Sequence, residues 1–220
     1  LLDRGVAFAI AHVRGGGEKG RSWYDQGHLE HKVNTFNDTV DVARALIELG
    51  VTSEDRLALR GRSAGGLLVG ATLNQAPELF AAAVAEVPFV DVVTTMRNEA
   101  LPLTTGEWEE WGDPLHDELA FSRMLAYSPV DNVRGTQPDG AARRYPTVLA
   151  TGGLHDARVA YWEPAKWVNA LRAVPGGPYY LRTELEAGHG GPSGRYDAWR
   201  EEASTLAFIL VAIAELASSS

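Results

Sequence analysis

The chain has 220 residues, enough for one domain with a sizeable hydrophobic core. Its net charge of -9 argues against a nucleic-acid-binding protein, because such proteins usually present a basic face. It contains no cysteine, which excludes disulfides, thiolate catalysis and cysteine-ligated zinc or iron–sulfur sites. No apolar run approaches the length of about 18 residues that a membrane-spanning helix needs.

The pattern of apolar and polar residues predicts strands that alternate with helices. We predict strands at 6–13, 56–59, 81–87, 147–151 and 179–184, and helices at 35–49, 64–74, 162–171 and 196–216. Asn34 or Thr35 is the predicted cap of the first helix. Residues 90–143 are predicted to be irregular, with short helical stretches around 118–125. This alternation predicts an α/β fold with a mostly parallel sheet and helices on both of its faces.

A candidate nucleophile, Ser63, lies between a predicted strand and a predicted helix. Residues 61–65 read Gly-Arg-Ser-Ala-Gly and match the G-x-S-x-G pattern of a sharp strand-to-helix turn that raises a serine hydroxyl above a sheet. The glycines at both ends, and the following Gly66, are expected to permit the tight turn. The backbone N–H of Ala64, at the start of the helix, is the expected oxyanion donor. Five-residue matches also arise by chance, so the strand and helix on either side carry this interpretation.

Asp156 and His189 are the candidate partners of Ser63. Each follows a predicted strand, and the order Ser…Asp…His is the order in which this type of fold supplies nucleophile, acid and base. Because the carboxyl ends of parallel strands meet at one edge of a sheet, we expect the three side chains to converge. Taken singly, Asp156 reads as a turn or cap residue and His189 as a surface loop histidine.

Two further patterns suggest cofactor or metal binding, and neither is favoured. Residues 15–20 fit a glycine-rich dinucleotide fingerprint, but no helix with apolar periodicity is predicted directly behind them. His28 and His31 have a spacing compatible with a metal pair, but no third ligand is evident. We therefore expect no cofactor and no metal.

Several longer stretches resemble the oligopeptidase B branch of the prolyl oligopeptidase family. They lie at residues 14–18, 89–96, 102–107, 127–129, 161–167 and 187–191, and the resemblance runs from about residue 5 to about residue 212. It implies an α/β-hydrolase fold. It also implies a serine peptidase that cleaves short peptides after Arg or Lys, and a cytoplasmic location. The alternative within enzymes is an esterase or an acylaminoacyl peptidase, which would share the triad but not the acidic pair. The alternative from another class is a non-catalytic interaction module or an inactive piece of the peptidase.

The resemblance also implies roles for individual residues. Ser63, Asp156 and His189 match the family's triad. Glu107 and Glu109 match the acidic residues that hold the basic side chain before the scissile bond, and two carboxylates suit a guanidinium fork. Arg158 matches an arginine that binds a substrate carbonyl. Read alone, the acidic residues are a solvated face and Arg158 is a surface arginine.

The start of the chain departs from the family's pattern. Relatives carry an upstream β-propeller, earlier strands of the hydrolase sheet and a tyrosine that serves as second oxyanion donor, and none of these is in this sequence. We therefore expect residues 1–220 to be one partial catalytic domain whose partners are that propeller and short basic peptides. Loss of one oxyanion donor costs about 10²–10³ in rate. The chain taken alone is accordingly expected to be weakly active or inactive.

Overall fold

The computed structural model describes residues 1–217, and its sheet has four parallel strands. They lie side by side in chain order, which confirms the predicted parallel sheet and four of the five predicted strands. Every residue of the second strand is buried, as expected for a central strand covered on both faces. The strands are β1 (Ala58–Arg62), β2 (Ala82–Glu86), β3 (Thr147–Gly153) and β4 (Tyr179–Glu184).

Helices cover both faces of this sheet. Ala83 and Ala85 of β2 pack with helices that include Val40, Val69 and Trp167. Val84, which points to the opposite face, packs with Ile209 of the last helix. No helix in residues 1–217 is both long and apolar enough to cross a membrane. The α-helices are α1 (Arg21–Asp25), α2 (Val33–Glu48), α3 (Ala64–Gln75), α4 (Val92–Met96), α5 (Thr104–Trp111), α6 (Glu118–Tyr127), α7 (Trp162–Arg172) and α8 (Arg195–Ala217). Short 3₁₀ turns occur at Leu2–Arg4, Leu29–His31, Pro77–Leu79 and Val130–Asn132.

The strand predicted at residues 6–13 is wrong. This segment pairs with no strand among the described residues, and its apolar side chains Phe8 and Ile10 are 67% and 69% exposed. A β-strand needs a hydrogen-bonded neighbour, and the local apolar pattern carries no information about whether one is present.

The predicted start of the first long helix is also wrong. α2 begins at Val33, so Asn34 and Thr35 lie inside the helix instead of capping it. The Asn34 amide donates to the carbonyl of Gln26 over 2.8 Å, and the Thr35 hydroxyl donates to the carbonyl of Arg14 over 2.7 Å. These two side chains therefore connect the helix to the backbone on either side of the glycine-rich residues 15–20, which a cap would not do.

Three short helices were not predicted. α1 begins directly after Gly20, where we expected none, and α4 and α5 occupy a region predicted to be irregular. Each has five to eight residues, too few for a clear apolar period. α4 and α5 are held by packing against the rest of the fold, as with Trp111 of α5 in the cluster around Phe89. α1 has no buried residue, and side-chain hydrogen bonds from Trp23 and Tyr24 connect it to the rest of the chain.

Candidate active site

Ser63 occupies the sharp turn between β1 and α3. Its backbone has φ 56° and ψ -116°, a conformation that non-glycine residues rarely adopt. Its N–H donates to the carbonyl of Glu86 over 2.8 Å, and its carbonyl accepts the N–H of Phe89 over 3.1 Å. Because surrounding structure holds this strained backbone, the serine side chain is fixed at the end of the strand.

Glycines around Ser63 are needed for close packing, though not all those that we predicted. A Cβ on Gly61 would strike the carbonyl of Gly65, and one on Gly66 would strike Pro88. A Cβ on Gly65 itself would meet nothing within 4 Å. The turn therefore depends on Gly61 and Gly66, whereas Gly65 contributes through its backbone.

Gly66→Ala is expected to destabilise the fold by about 1–3 kcal/mol, because the added methyl group must displace Pro88. Chemical denaturation would measure the free energy of unfolding. The matched control is Gly65→Ala, which adds the same group to the same turn of α3 but into open space. We expect its effect to stay within about 1 kcal/mol, the range of helix propensities. Equal losses in the two variants would contradict this account of the turn.

Asp156 and His189 form a hydrogen-bonded pair. Asp156 Oδ2 lies 2.7 Å from His189 Nδ1, and its side chain is fully buried. Its other oxygen, Oδ1, accepts the backbone N–H groups of Arg158 at 2.8 Å and Val159 at 3.0 Å. Three donors therefore fix the carboxylate, so that Nδ1 of the imidazole carries the proton and Nε2 is left as an acceptor.

The loops that carry this pair are held together by their backbones. The N–H of His155 donates to the carbonyl of Ala187 over 3.1 Å, and a Cβ on Gly153 would come within 2.6 Å of that same carbonyl. Arg62, the residue before the nucleophile, donates from Nη2 to the carbonyl of His189. The histidine loop is thus joined to both the acid loop and the serine turn.

Ser63 and His189 line one cavity of about 490 Å³, within the size range of small-ligand sites. No hydrogen bond joins their side chains, although both belong to the described residues. Catalytic hydrogen bonds are often long before substrate binds. The remaining lining is largely apolar with a few charges, and consists of Arg62, Ala64, Phe89, Thr95, Met96, Leu101, Leu103, Thr104, Glu107, Glu110, Trp111, Arg158 and Val159.

The structure brings only part of the predicted substrate-binding set to this cavity. Glu107 and Arg158 line it, but Glu109 is exposed and does not. Glu110, which we did not assign, lines the wall in its place. The reason is helical geometry: within α5, residues three apart share a face and residues two apart do not. Glu109 therefore lies outside this cavity, and its role in substrate binding stays a prediction.

The family model described as the prolyl oligopeptidase family matches residues 1–215. The chain belongs to the prolyl oligopeptidase family. It is 50% identical over 212 residues to dipeptidyl aminopeptidase BI of Pseudoxanthomonas mexicana, covering 96% of this chain and 28% of that protein. It is also 50% identical over 212 residues to protease 2 of Moraxella lacunata, covering 96% and 30%.

Solved structures of the prolyl oligopeptidase family share the fold. Oligopeptidase B from Leishmania major matches with a TM-score of 0.87 and 47% identity, over 93% of this chain and 28% of that one. Oligopeptidase B from Trypanosoma brucei, with covalently bound antipain, matches with a TM-score of 0.86 and 50% identity, over 92% and 28%. The resemblance and the α/β-hydrolase fold are confirmed. The chain spans less than a third of the length of these relatives.

Glu163, which we did not predict, carries a buried carboxyl group that holds part of the cavity lining in place. Glu163 of α7 is 0% exposed and accepts the N–H groups of Val90 and Asp91, each at 2.9 Å, and the hydroxyl of Thr95 at 2.8 Å. Burial raises the pKa of this carboxyl to about 7, and its three hydrogen bonds oppose the increase. Glu163 thereby fixes the segment after β2, which contributes Thr95 to the cavity.

Glu163 is expected to make stability depend on pH. Its pKa in the folded state, about 7, lies above the ordinary value of 4.5, so the folded chain keeps a proton that the unfolded chain releases. The free energy of unfolding should therefore fall as pH rises from 4.5 to 7, by about 3 kcal/mol for this group. In Glu163→Gln, which can still accept two N–H groups and reach the Thr95 hydroxyl, this share of the decline should disappear. Chemical denaturation at several pH values would measure the free energy of unfolding of both proteins. The same decline between pH 4.5 and 7 in both would contradict the assignment.

Proposed function

We propose that this chain is the catalytic portion of a serine peptidase that cleaves short peptides after Arg or Lys. The observation that carries the proposal is the Asp156–His189 pair, which shares one cavity with a serine on a strained turn. Within the described residues, no hydrogen bond occupies the acceptor nitrogen of His189. The family supports the class of enzyme. Two relatives that are 50% identical to this chain are named as peptidases. The structure of oligopeptidase B from Trypanosoma brucei contains covalently bound antipain.

The proposed reaction is acyl transfer through a covalent intermediate. His189 Nε2 accepts the proton of Ser63 as its Oγ bonds to the peptide carbonyl carbon. Asp156 stabilises the imidazolium that forms, and the N–H of Ala64 at the start of α3 receives part of the oxyanion charge. Protonated His189 then transfers its proton to the leaving amine. Water, deprotonated by the same imidazole, releases the acid product and restores Ser63.

The proposed preference for basic residues rests on Glu107. It is half-buried in the cavity wall, where a carboxylate oxygen accepts the indole N–H of Trp111 over 2.9 Å. A fixed, partly desolvated carboxylate is the group that recognises a guanidinium or ammonium. The exposed Arg158, beside the triad acid, is proposed to donate to a backbone carbonyl of the substrate. Apolar neighbours such as Met96 and Leu103 suit the methylene stem of the basic side chain.

Labelling with a fluorophosphonate probe tests the catalytic proposal. In the natural protein that contains residues 1–220, the probe should phosphonylate Ser63 with loss of fluoride, and Ser63→Ala should abolish labelling. Mass spectrometry of the labelled peptide would locate the adduct. An Arg amide reporter and a p-nitrophenyl ester would then separate a peptidase from an esterase. Absence of labelling in a folded protein that carries an intact triad would refute the proposal.

A second candidate is release of dipeptides from a free amino terminus, favoured by the name of the Pseudoxanthomonas relative. Such an enzyme requires the substrate's terminal ammonium, whereas the first candidate does not. Two reporters, Gly-Arg-p-nitroanilide with a free and with an acetylated amino group, distinguish them. Cleavage of both supports the oligopeptidase, and cleavage of the free peptide alone supports the dipeptidyl peptidase. The upstream propeller, second oxyanion donor and cytoplasmic location stay predictions.

A further inference from the structure

Behind the acidic wall of the cavity lies a buried lysine that the proposed mechanism does not use. Lys32, the residue before α2, is only 8% exposed, and its Nζ lies 3.2 Å from Glu110 Oε1. The same ammonium group stands over the ring of Trp111, 4.6 Å from its centroid. Burial of a lysine is unusual and requires such partners.

The two carboxylates of the cavity wall are therefore not equivalent. Both oxygens of Glu110 are occupied, Oε1 by Lys32 and Oε2 by the hydroxyl of Tyr24 at 2.7 Å. This hydrogen bond raises the pKa of Tyr24 to about 12, so the hydroxyl remains a donor at neutral pH. Glu107 has a single hydrogen bond, from Trp111 to Oε2, and its other oxygen has none within the described residues.

Charge follows the same division. Lys32 and Glu110 together contribute no net charge to the wall, whereas Glu107 contributes one negative charge. Trp111 connects them, because its N–H positions Glu107 and its ring faces Lys32. The charged lining residues Arg62 and Arg158 are exposed, and solvent screens their charges.

We propose that Lys32 is a specificity-determining residue: by neutralising Glu110 from behind the wall, it leaves Glu107 as the one carboxylate, among the described residues that line the cavity, open to a cationic substrate side chain. This inference rests on the proposed function and adds to it. It means that the cavity is matched to a single positive charge. Lys32 acts through Glu110 and does not line the cavity, so it is a positioning residue and not a catalytic one.

Two substitutions with opposite expected effects test the proposal in the natural protein that contains this chain. The readout is the ratio of kcat/KM for a peptide reporter ending in Arg to that for its citrulline analogue, which is neutral and nearly isosteric. Lys32→Met leaves the negative charge of Glu110 uncompensated and should raise the ratio about tenfold. This is less than the full Coulomb attraction between a carboxylate and a guanidinium at close range. Glu110→Gln leaves the lysine charge unopposed and should lower the ratio about tenfold.

Further variants separate this effect from damage to the fold. The double variant, Lys32→Met with Glu110→Gln, should return the ratio to within about threefold of the wild type, since the two positions again contribute no net charge. Lys32→Arg should preserve the ratio. Lys19→Met, which removes an exposed charge that does not line the cavity, is the matched control and should leave the ratio unchanged. Structural damage alone would lower turnover of both reporters together.

The result that overturns the proposal is a ratio that moves in neither single variant, or in the same direction in both. If Lys32→Met does not fold, Glu110→Gln tests the same claim, because it preserves the shape of the side chain. Failure of the proposed function is read separately, from a wild-type protein that shows no preference for Arg over citrulline. In that case, a preference for Arg that appears in Lys32→Met would still support the claim that Lys32 neutralises Glu110. If Lys32→Met also shows no preference for Arg, the claim is refuted.

Discussion

Asp156→Asn should lower kcat/KM by about 10⁴-fold while leaving the fold intact. The backbone N–H groups of Arg158 and Val159 require an acceptor at Oδ1, so the amide oxygen takes that position. The amide NH₂ then faces His189 Nδ1 and donates to it. The imidazole is forced to carry its proton on Nε2, where it can no longer accept the proton of Ser63. Steady-state kinetics on an Arg reporter would measure the loss.

The control for this variant is Asp117→Asn. Asp117 caps α6 by accepting the N–H of Leu119, and it does not line the cavity. Asparagine caps helices about as well as aspartate, so both activity and melting temperature should stay close to those of the wild type. A loss at Asp156 no greater than at Asp117 would mean that His189 is not the base, or that Asp156 does not set its tautomer.

Glu107→Gln should lower kcat/KM for Arg and Lys reporters by about 10²-fold or more, because truncating one partner of a desolvated charge pair costs about 2–5 kcal/mol. Turnover of the neutral citrulline reporter should change by less than about threefold, since glutamine can still accept the Trp111 indole N–H. The loss should appear as a change in preference, and not as a general loss of activity.

Glu109→Gln is the matched control, two residues away on the same helix with the same change of charge. Its side chain is exposed outside the cavity, and the contact with His28 Nε2 at 2.6 Å uses its backbone carbonyl, which the substitution retains. We expect no change in preference. A loss at Glu109 equal to that at Glu107 would support the pairing of both residues that the family resemblance implies. It would contradict the proposal that Glu107 alone recognises the basic side chain.

The three proposed triad residues could be predicted because each follows a strand. Once residues 61–65 mark a strand-to-helix turn, parallel strands bring the later loops of Asp156 and His189 to the same edge. Their hydrogen bond follows from that topology. The wall of the cavity could not be predicted in the same way. α5 is too short for a period, so nothing in the sequence indicated that Glu110 turns inward and Glu109 outward.

The sequence by itself therefore determined the class of fold, the four paired strands and the identity of the three proposed catalytic residues, because local patterns and chain order carry that information. Only the tertiary structure decided that residues 6–13 form no strand, that Glu163 is buried and that Lys32 stands behind Glu110. Each depends on partners distant in the chain. A strand needs a neighbour, and a buried charge needs a counterion or donors, which local sequence does not specify.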